Sequence, residues 1–426
     1  MIHTSRYVPV EESIASRNYE QAIKLIQEQQ EKNYYTQKDR LLFYLDMAIS
    51  YYYAGNYEKS IQFFDRAEET IEELYTKSVS NIAASFLLND NVLDYAGEDY
   101  EDIYINVFKC ISYLELDLFD DAFVEIRRLN EKIETLSLKY ADLVTALNQA
   151  VQTEIEFRHG NIHFHNSALA RYLSYLIYRA EGAYDDARID LESIHQLWTL
   201  QPDVYDFPIP TPIKNLDVDS DVTQVNVVSF VGRGPEKYAV GFKIDTYNGY
   251  ILVYPLGESV TAEKIIMDIE EGYHFKFSLP EIRPRASQIQ FVEVYIDGKY
   301  GGHLELLEDM SQIAISTFRV KQPIIYLKTI ARTVTKGIVA QEQKATITEK
   351  TKDPLFSSLL LASVDVVVDI SENADLRCWR LLPGKCMIGE FEVSPGIHDI
   401  EVRYLNAHRQ IIDSQTFHDF QVQPNG

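Results

Sequence analysis

The stretch "YLDMAISYYYAGNYEKSIQFFDRA", residues 44–67, decides the fold of the first half of this chain. Two segments with helical apolar spacing flank Gly55, which supplies the turn between them. The small residues Ala48 and Ser60 lie where the two helices would touch, and aromatic rings surround them. These rings belong to Tyr51, Tyr57 and Phe64. Close approach of two helices requires small side chains opposite large ones, so the stretch predicts a helical hairpin.

The same spacing returns along the first half of the chain. It is that of a tetratricopeptide (TPR) repeat, with small residues at the eighth and twentieth positions and aromatic residues at the eleventh and twenty-fourth. Three further stretches match parts of it: 17–26, 110–129 and 171–191. The later gaps are close to two repeats, so we expect degenerate helices near 78–97 and 137–157. Such units bury their faces only by stacking, and residues 1–199 are therefore predicted to form a TPR-like helical array.

A change of period marks the second half. Residues 200–222 hold four prolines and no sustained period, which predicts a Pro-rich crossing or linker. Alternating apolar and β-branched residues then predict strands in two blocks. These blocks are residues 223–300 and 385–423.

Helical spacing returns between the two strand blocks, over residues 304–371. Two prolines lie near expected helix starts there: Pro323 and Pro354. The chain is therefore predicted to be a multidomain α+β protein. An N-terminal all-α, TPR-like array precedes an α+β module, residues 223–426, which combines sandwich-like strands with a helical insert.

Composition and charge narrow the class of function. The chain has 426 residues and a formal net charge of −25, and its length predicts two or three domains. An acidic surface repels phosphate groups, which argues against nucleic-acid binding and against docking onto anionic lipid. The best candidate for a membrane span, residues 355–370, is too short and is interpreted as a buried core helix. No signal peptide is visible, so we expect either a cytoplasmic protein or one whose leader has been removed.

Three cysteines constrain the redox compartment only weakly. Cys110 falls at an inward helical position and is interpreted as a small core residue. Cys378 and Cys386 bracket a plausible hairpin, so they can form either a disulfide or two free thiols. A disulfide would imply an oxidising compartment. Two thiols are the favoured interpretation, because nothing else in the sequence suggests a disulfide framework.

Sequence patterns for metals, nucleotides and catalysis are weak. His159, His163 and His165 cluster in residues 158–167, but a glycine breaks any shared helical face, so a connecting loop is favoured over a zinc or copper site. The acidic run at 217–221 lacks the glycine and the glutamate of a calcium loop. A complete phosphate loop and a nucleophile–base pair are not recognisable. No cofactor, metal or catalytic residue is therefore predicted.

An acidic, aromatic segment interrupts the array at "NDNVLDYAGEDYED", residues 89–102. Acidic residues favour the dipole of the helix that begins near Tyr100, which is a sufficient structural reason for several of them. A stacked array would return the arginines of the next helix to this turn. The segment is interpreted either as a local ion-pair network or as a polar groove that grips a partner. The candidate partner-binding residues are Asn89, Asp90, Tyr95, Glu98, Arg127 and Arg128.

These motifs, in their order along the chain, resemble those of a widespread and functionally uncharacterised bacterial family of TPR-containing proteins, generally predicted to be envelope lipoproteins. The resemblance continues through residues 170–191, "GRGPEK" (232–237), "IARTVTK" (330–336) and 374–402. It implies a place in the cell envelope, facing the periplasm, and brings no established activity. The last three segments are expected to meet where the array joins the module. Their candidate junction residues are Gly234, Pro235, Lys237, Arg332, Asp375, Arg377 and Trp379.

Together these patterns favour a non-enzymatic scaffold of the bacterial envelope that docks a protein or peptide in a TPR-like groove. A different class stays open: an envelope enzyme or glycan-binding protein that uses the C-terminal module. A cleft in that module with titratable residues of shifted pKa would favour that class, whereas a bare groove of the array lined with Tyr and Asn, with no such cleft, would favour the scaffold. A cytoplasmic adaptor is a third alternative. Membrane attachment is expected only through a lipid anchor outside this chain.

Overall fold

A computed structural model of the chain describes residues 4–80, 88–150, 156–218, 222–256, 262–342 and 373–423. Helices occupy the first half and antiparallel sheets dominate the second, so the predicted α+β class is confirmed. The described α-helices are α1 (Val8–Ala15), α2 (Tyr19–Glu31), α3 (Arg40–Tyr53), α4 (Tyr57–Ser80), α5 (Asp99–Leu114), α6 (Phe119–Ala150), α7 (Ala168–Glu181), α8 (Tyr184–Leu200), α9 (Thr211–Asn215) and α10 (Met310–Glu342). The described strands are β1 (Gln224–Val231), β2 (Glu236–Tyr247), β3 (Tyr250–Pro255), β4 (Glu263–Ile266), β5 (His274–Arg283), β6 (Phe291–Ile296), β7 (Lys299–His303), β8 (Glu305–Asp309), β9 (Lys385–Glu392), β10 (Gly396–Leu405) and β11 (Ile411–Val422).

Helices α3 and α4 form the hairpin predicted from residues 44–67. Ala48 and Ser60 are fully buried where the helices meet, and the Ser60 hydroxyl donates a hydrogen bond to the Ala48 carbonyl at 2.9 Å. Gly55 makes the turn with a φ of +72°, which favours glycine. The pairs α5/α6 and α7/α8 repeat this arrangement, and consecutive pairs contact each other. We call the helices from α1 to α8 the array.

The strands form three antiparallel sheets in the orders β1-β9-β8, β11-β10-β6-β7 and β4-β3-β2-β5. The first sheet pairs strands from both ends of the module, because β1 lies against β9 with Val228 opposite Ile388. We call residues 222–423 the module and its contact with the array the seam.

One continuous hydrophobic core runs across the seam. It contains inward-facing residues of the array together with residues of β8, β9 and α10, among them Leu307, Ile313 and Ile388. A second core lies between the β4-β3-β2-β5 sheet and α10. Helix α6, about 48 Å long for its 32 residues, serves both cores, since Leu129 lies in the first and Leu147 in the second.

Residues 305–309 correct the helical block predicted at 304–371. They form strand β8, which pairs with β9 so that Glu305 lies opposite Ile388. Leu307 is fully buried, and Glu308 accepts a hydrogen bond from the Tyr104 hydroxyl at 2.7 Å. Pairing with a distant strand therefore overrides the local helical spacing of "LELLED".

The sequence pattern predicts a helix start near Pro323, but this residue lies inside the continuous helix α10. Proline lacks the N–H that would bond to the Arg319 carbonyl. The neighbouring Val320 carbonyl accepts the Gly160 N–H at 2.7 Å. A Cβ at Gly160 would lie 2.2 Å from the Arg319 oxygen, so glycine allows the 156–167 loop to approach the helix.

The two expected degenerate helices fall partly outside the described residues, and within those residues neither forms a separate helix. Residues 137–150 continue α6 without a break. Over 78–97, the described residues comprise the end of α4, a short 3-10 turn at Asp90–Val92 and an extended approach to α5. The predicted helix at 355–370, with Pro354, lies outside the described residues.

Truncation of Trp379 tests the core at the seam. Its side chain is fully buried, and its ring centroid lies 5.9 Å from Phe64 and 6.1 Å from Phe108. We expect Trp379→Ala to lower the free energy of unfolding by about 3–5 kcal/mol, measured by urea denaturation followed by circular dichroism. Leu138→Ala on the exposed face of α6 is the control, with an expected change within about 0.5 kcal/mol. Equal losses for both variants would contradict this account of the seam.

Candidate functional site

An extended segment, residues 373–384, runs along the seam between the array and the module; we call it the strap. The Asn91 side chain donates to the Asn373 carbonyl at 2.7 Å, and the backbone N–H of Gly234 donates to the Leu382 carbonyl at 2.6 Å. A Cβ at Gly234 would lie 2.5 Å from that oxygen, so only glycine allows this approach. The strap is thus held from the array on one side and from the module on the other.

Glu101 ties the strap to the array. This fully buried carboxylate accepts the backbone N–H of Trp379 at 2.6 Å and the Tyr95 hydroxyl at 2.7 Å. It also closes the capping box of α5 by accepting the Glu98 N–H at 3.0 Å. Burial, together with the charge of Glu98, raises the pKa of Glu101 to about 7, although the hydrogen bonds oppose the shift.

Arg377 provides a second attachment. Its guanidinium lies 5.3 Å from the ring centroid of Tyr95 and donates to Asp375 at 2.7 Å and to Asp39 at 3.3 Å. It also donates to the backbone carbonyl of Asp90 at 2.9 Å. Arginine suits this position because its planar fork can serve several acceptors at once.

Beside the strap, a cleft of about 650 Å³ opens between the array and the module. Its walls come from α4, the 88–99 segment, the second half of α6, the strap and α10, with one residue each from β2 and β5. The apolar part of the lining includes Ile71, Leu74, Leu93, Leu143, Ile324 and Ile325. The charged part includes Asp90, Glu98, Asp99, Lys139, Lys237, Lys321 and Lys328. We call this space the seam cleft.

The carboxylates of the seam cleft are engaged in ion pairs. Asp99 binds Lys139 at 2.7 Å and accepts the Tyr140 hydroxyl at 2.5 Å. Burial opposes ionisation of Asp99, but the adjacent lysines outweigh it and hold its pKa below the ordinary value. Asp90 lies 3.3 Å from both Lys328 and Arg332, and these cations likewise lower its pKa against the effect of burial.

Glu98 forms the third ionic group, in contact with both Lys237 and Lys321. Burial opposes the charge of Lys237, but Glu98 outweighs it and raises the pKa of this lysine to about 12. All three groups therefore link the acidic segment of the array to cations of the module or of α6.

The structure brings most of the predicted site residues to the seam. Asp90, Tyr95 and Glu98 meet Lys237, Arg332, Asp375, Arg377 and Trp379 through the contacts above. Asn89 caps the turn beneath them by accepting the Asn91 N–H at 3.1 Å. Pro235 is buried next to Gly234.

Arg127 and Arg128 do not reach the acidic segment. Arg127 is exposed, while Arg128 lies 3.3 Å from Glu68 of α4 and 3.7 Å from Glu125 of its own helix. The residues of α6 that return to the acidic segment come later along the helix. Lys132 binds Asp102 at 2.6 Å, and Lys139 binds Asp99. The expected return of the two arginines is therefore wrong, and two lysines further along α6 make the contacts instead.

Sequence reasoning also missed Glu101, Lys139 and Lys321. The capping-box spacing of Glu98 and Glu101 could have identified the first. Lys321, Lys328 and Arg332 share one face of α10 at helical spacing, which could have identified that cationic stripe.

The remaining sequence candidates lie elsewhere. His159, His163 and His165 are in the 156–167 connecting loop, where His163 lies 3.0 Å from Asp203. Across the described residues, no three metal-ligating side chains are arranged to hold an ion.

Cys110, Cys378 and Cys386 are buried thiols. No helix in the described part of the chain has the length and apolar character to cross a membrane.

No known family model matches the chain, and no curated protein is significantly similar to it.

Replacing Glu101 tests the electrostatics of the strap. A raised pKa means that its contribution to stability is fully present below the ordinary pKa of 4.5 and is lost as the pH rises through about 7. The variant Glu101→Gln removes this titration. As the pH rises from about 5 to about 8.5, wild type loses this contribution and the variant does not. The free energy of unfolding of Glu101→Gln minus that of wild type should therefore increase by on the order of 3 kcal/mol over this range.

The measurement is urea unfolding across that pH range. Glu392→Gln, at an exposed position of β9, is the matched control and should follow the wild-type curve. A difference between Glu101→Gln and wild type that stays constant with pH would refute a titrating Glu101.

Proposed function

We propose that this protein is a non-enzymatic interaction scaffold, in which a TPR-like array and an α+β module together dock a segment of a partner protein in the seam cleft. The observation that carries the proposal is the cleft itself, at about 650 Å³. Its volume falls in the ordinary range for binding sites, and apolar walls with a few polar groups are typical of them.

The TPR-like character of the array is supported by the contacts within its helix pairs. Ala48, Ser60, Ala122 and Ala187 are fully buried at the positions where the spacing requires small residues. Three helix pairs follow one another and contact their neighbours, as stacked repeats do. In the module, the β1-β9-β8 and β11-β10-β6-β7 sheets share a small core, which supports a sandwich-like pairing.

The groove expected along the first helix of each pair is filled by the chain itself. Phe108 of α5 lies 5.1 Å, between ring centroids, from Phe230 of β1, and the Tyr172 hydroxyl of α7 donates to Glu390 of β9 at 3.0 Å. A partner therefore cannot lie along this face while the module is in place. Because the module covers this face, we place the proposed docking site in the seam cleft beside the strap.

The ionic state of the seam cleft favours binding over catalysis. Asp90 and Asp99 are held ionised by their cations, so they are poor proton donors near neutral pH. Glu101 has a pKa near 7 but is fully buried behind Tyr95, away from the cleft lining. Neither Asp90 nor Asp99 is therefore suited to proton transfer near neutral pH, and Glu101 does not line the cleft.

Glycan binding by the module is the second candidate, favoured by one cluster on the β4-β3-β2-β5 sheet. Asp245 accepts hydrogen bonds from Tyr254, His274 and Lys243 on three adjacent positions of the sheet. Tyr247 and Tyr250 stack nearby at 5.0 Å between centroids. Tyrosines beside hydrogen-bonding groups can hold sugar rings. The cluster is open to solvent rather than enclosed, so it ranks behind the seam cleft.

Cross-linking tests the docking site. A photoreactive amino acid placed at Ile325, in the cleft wall, should give a discrete adduct with a partner protein in the native bacterium. Adding Leu143→Glu should abolish the adduct, because a charge in the apolar wall opposes burial of the partner. Leu138→Glu lies on the same helix but is exposed and should leave the adduct intact. An adduct that survives Leu143→Glu, or that forms equally from Ile189 on α8, would refute docking in the cleft.

We also propose the bacterial cell envelope, on the periplasmic side, as the location, supported by the sequence resemblance. Fractionation of the native bacterium with an antibody to the protein should recover it with the envelope or periplasm. Recovery with the cytoplasmic fraction would support the adaptor alternative instead.

A further inference from the structure

The floor of the seam cleft contains an ionic group that its apolar walls do not explain. Glu98 contacts Lys237 from β2 and Lys321 from α10. The side chains of Glu98 and Lys237 are each 4% exposed, whereas that of Lys321 is 18% exposed. Lys321 also belongs to the cleft lining. It is therefore the member of this group that a ligand can reach.

The charges around Lys321 leave it able to take a second anion. Lys237 is nearly inaccessible to water and needs Glu98 as its counterion, because an unpaired buried ammonium is costly. The next acid along the chain, Asp99, is close enough to Lys321 for the two charges to interact, but it binds Lys139 and Tyr140 directly, and Asp375 is engaged with Arg377. An ammonium group has three donors, and among the described residues Glu98 is the carboxylate that Lys321 contacts.

Apolar side chains share the cleft lining with this cation. Ile324 and Ile325 lie one helical turn along α10, and Leu143 and Leu74 come from α6 and α4. A bound group at Lys321 would thus have hydrocarbon on its flanks. Such surroundings strengthen an ion pair by excluding water, and they select for neighbours that are themselves apolar.

We propose that the partner segment carries an aspartate or glutamate flanked by apolar residues, and that its carboxylate binds Lys321 while the flanking side chains fill the seam cleft. This inference rests on the proposed function. The strap already combines the two kinds of contact in the same seam. Its buried Trp379 lies between Arg377 and Arg380, and each arginine forms an ion pair with a carboxylate of the array.

The test is a selection with a random dodecapeptide library displayed on phage, using the immobilised full chain. Peptides that also bind the Leu143→Glu variant are discarded, so the survivors are cleft binders. We expect them to be enriched in an acidic residue with apolar neighbours. A synthetic peptide of the consensus should bind Lys321→Gln about tenfold more weakly than wild type, and Lys321→Arg about equally. Lys276→Gln, at an exposed site on β5, is the matched control and should not change the affinity.

A substitution in the peptide distinguishes loss of the Lys321 contact from misfolding of the Lys321→Gln variant. Replacing the acidic residue of the peptide by its amide should cost about tenfold with wild-type protein and almost nothing with Lys321→Gln. Cleft binders without acidic enrichment, or binders indifferent to Lys321, would overturn this inference and leave the proposed function standing. A library that yields no binder sensitive to Leu143→Glu would count against the proposed function itself.

Discussion

The indole of Trp379, buried between Phe64 and Phe108, is the contact on which the arrangement of the chain depends. Its backbone N–H donates to Glu101, so the array holds both the side chain and the backbone of this residue. The strap then leads directly into β9, the central strand of the β1-β9-β8 sheet. Fixing one residue in the array therefore fixes the position of the strand on which that sheet is built.

Two kinds of carboxylate operate at this seam. Asp90, Glu98 and Asp99 are matched by cations, whereas Glu101 and Glu308 are satisfied by tyrosine hydroxyls and backbone N–H groups. Buried ion pairs often add little net stability because desolvation offsets the attraction, but a wrong pairing leaves a charge without a partner. We infer that these groups mainly enforce one docking geometry, while the aromatic and aliphatic contacts supply the stabilising free energy.

Local patterns allowed much of the array to be predicted, because small residues such as Ala48 and Ser60 can only face each other in a tight helix pair. Apolar spacing predicted the wrong secondary structure where contacts with distant residues determine the conformation. Residues 305–309 form a strand because β9 lies beside them, and nothing within "LELLED" encodes that neighbour. Arg128 does not reach the acidic segment because the sequence predicts the helix but not which part of its length lies beside that segment; Lys132 and Lys139, further along α6, make the contacts instead. The seam cleft joins residues from seven separate segments, and only the tertiary structure could define it.

The strap also has a consequence for how the protein is made. The array is synthesised before the module, and the residues that fill its inner face, from Trp379 to Ile388, follow Phe108 by about 270 residues. At the usual rate of roughly 5–20 residues per second, Phe64 and Phe108 wait on the order of ten seconds or more for their partners. Until then these rings lack the contacts with Trp379 that bury them in the folded chain. The inner face of the array is therefore completed only after the strap and β9 have been synthesised.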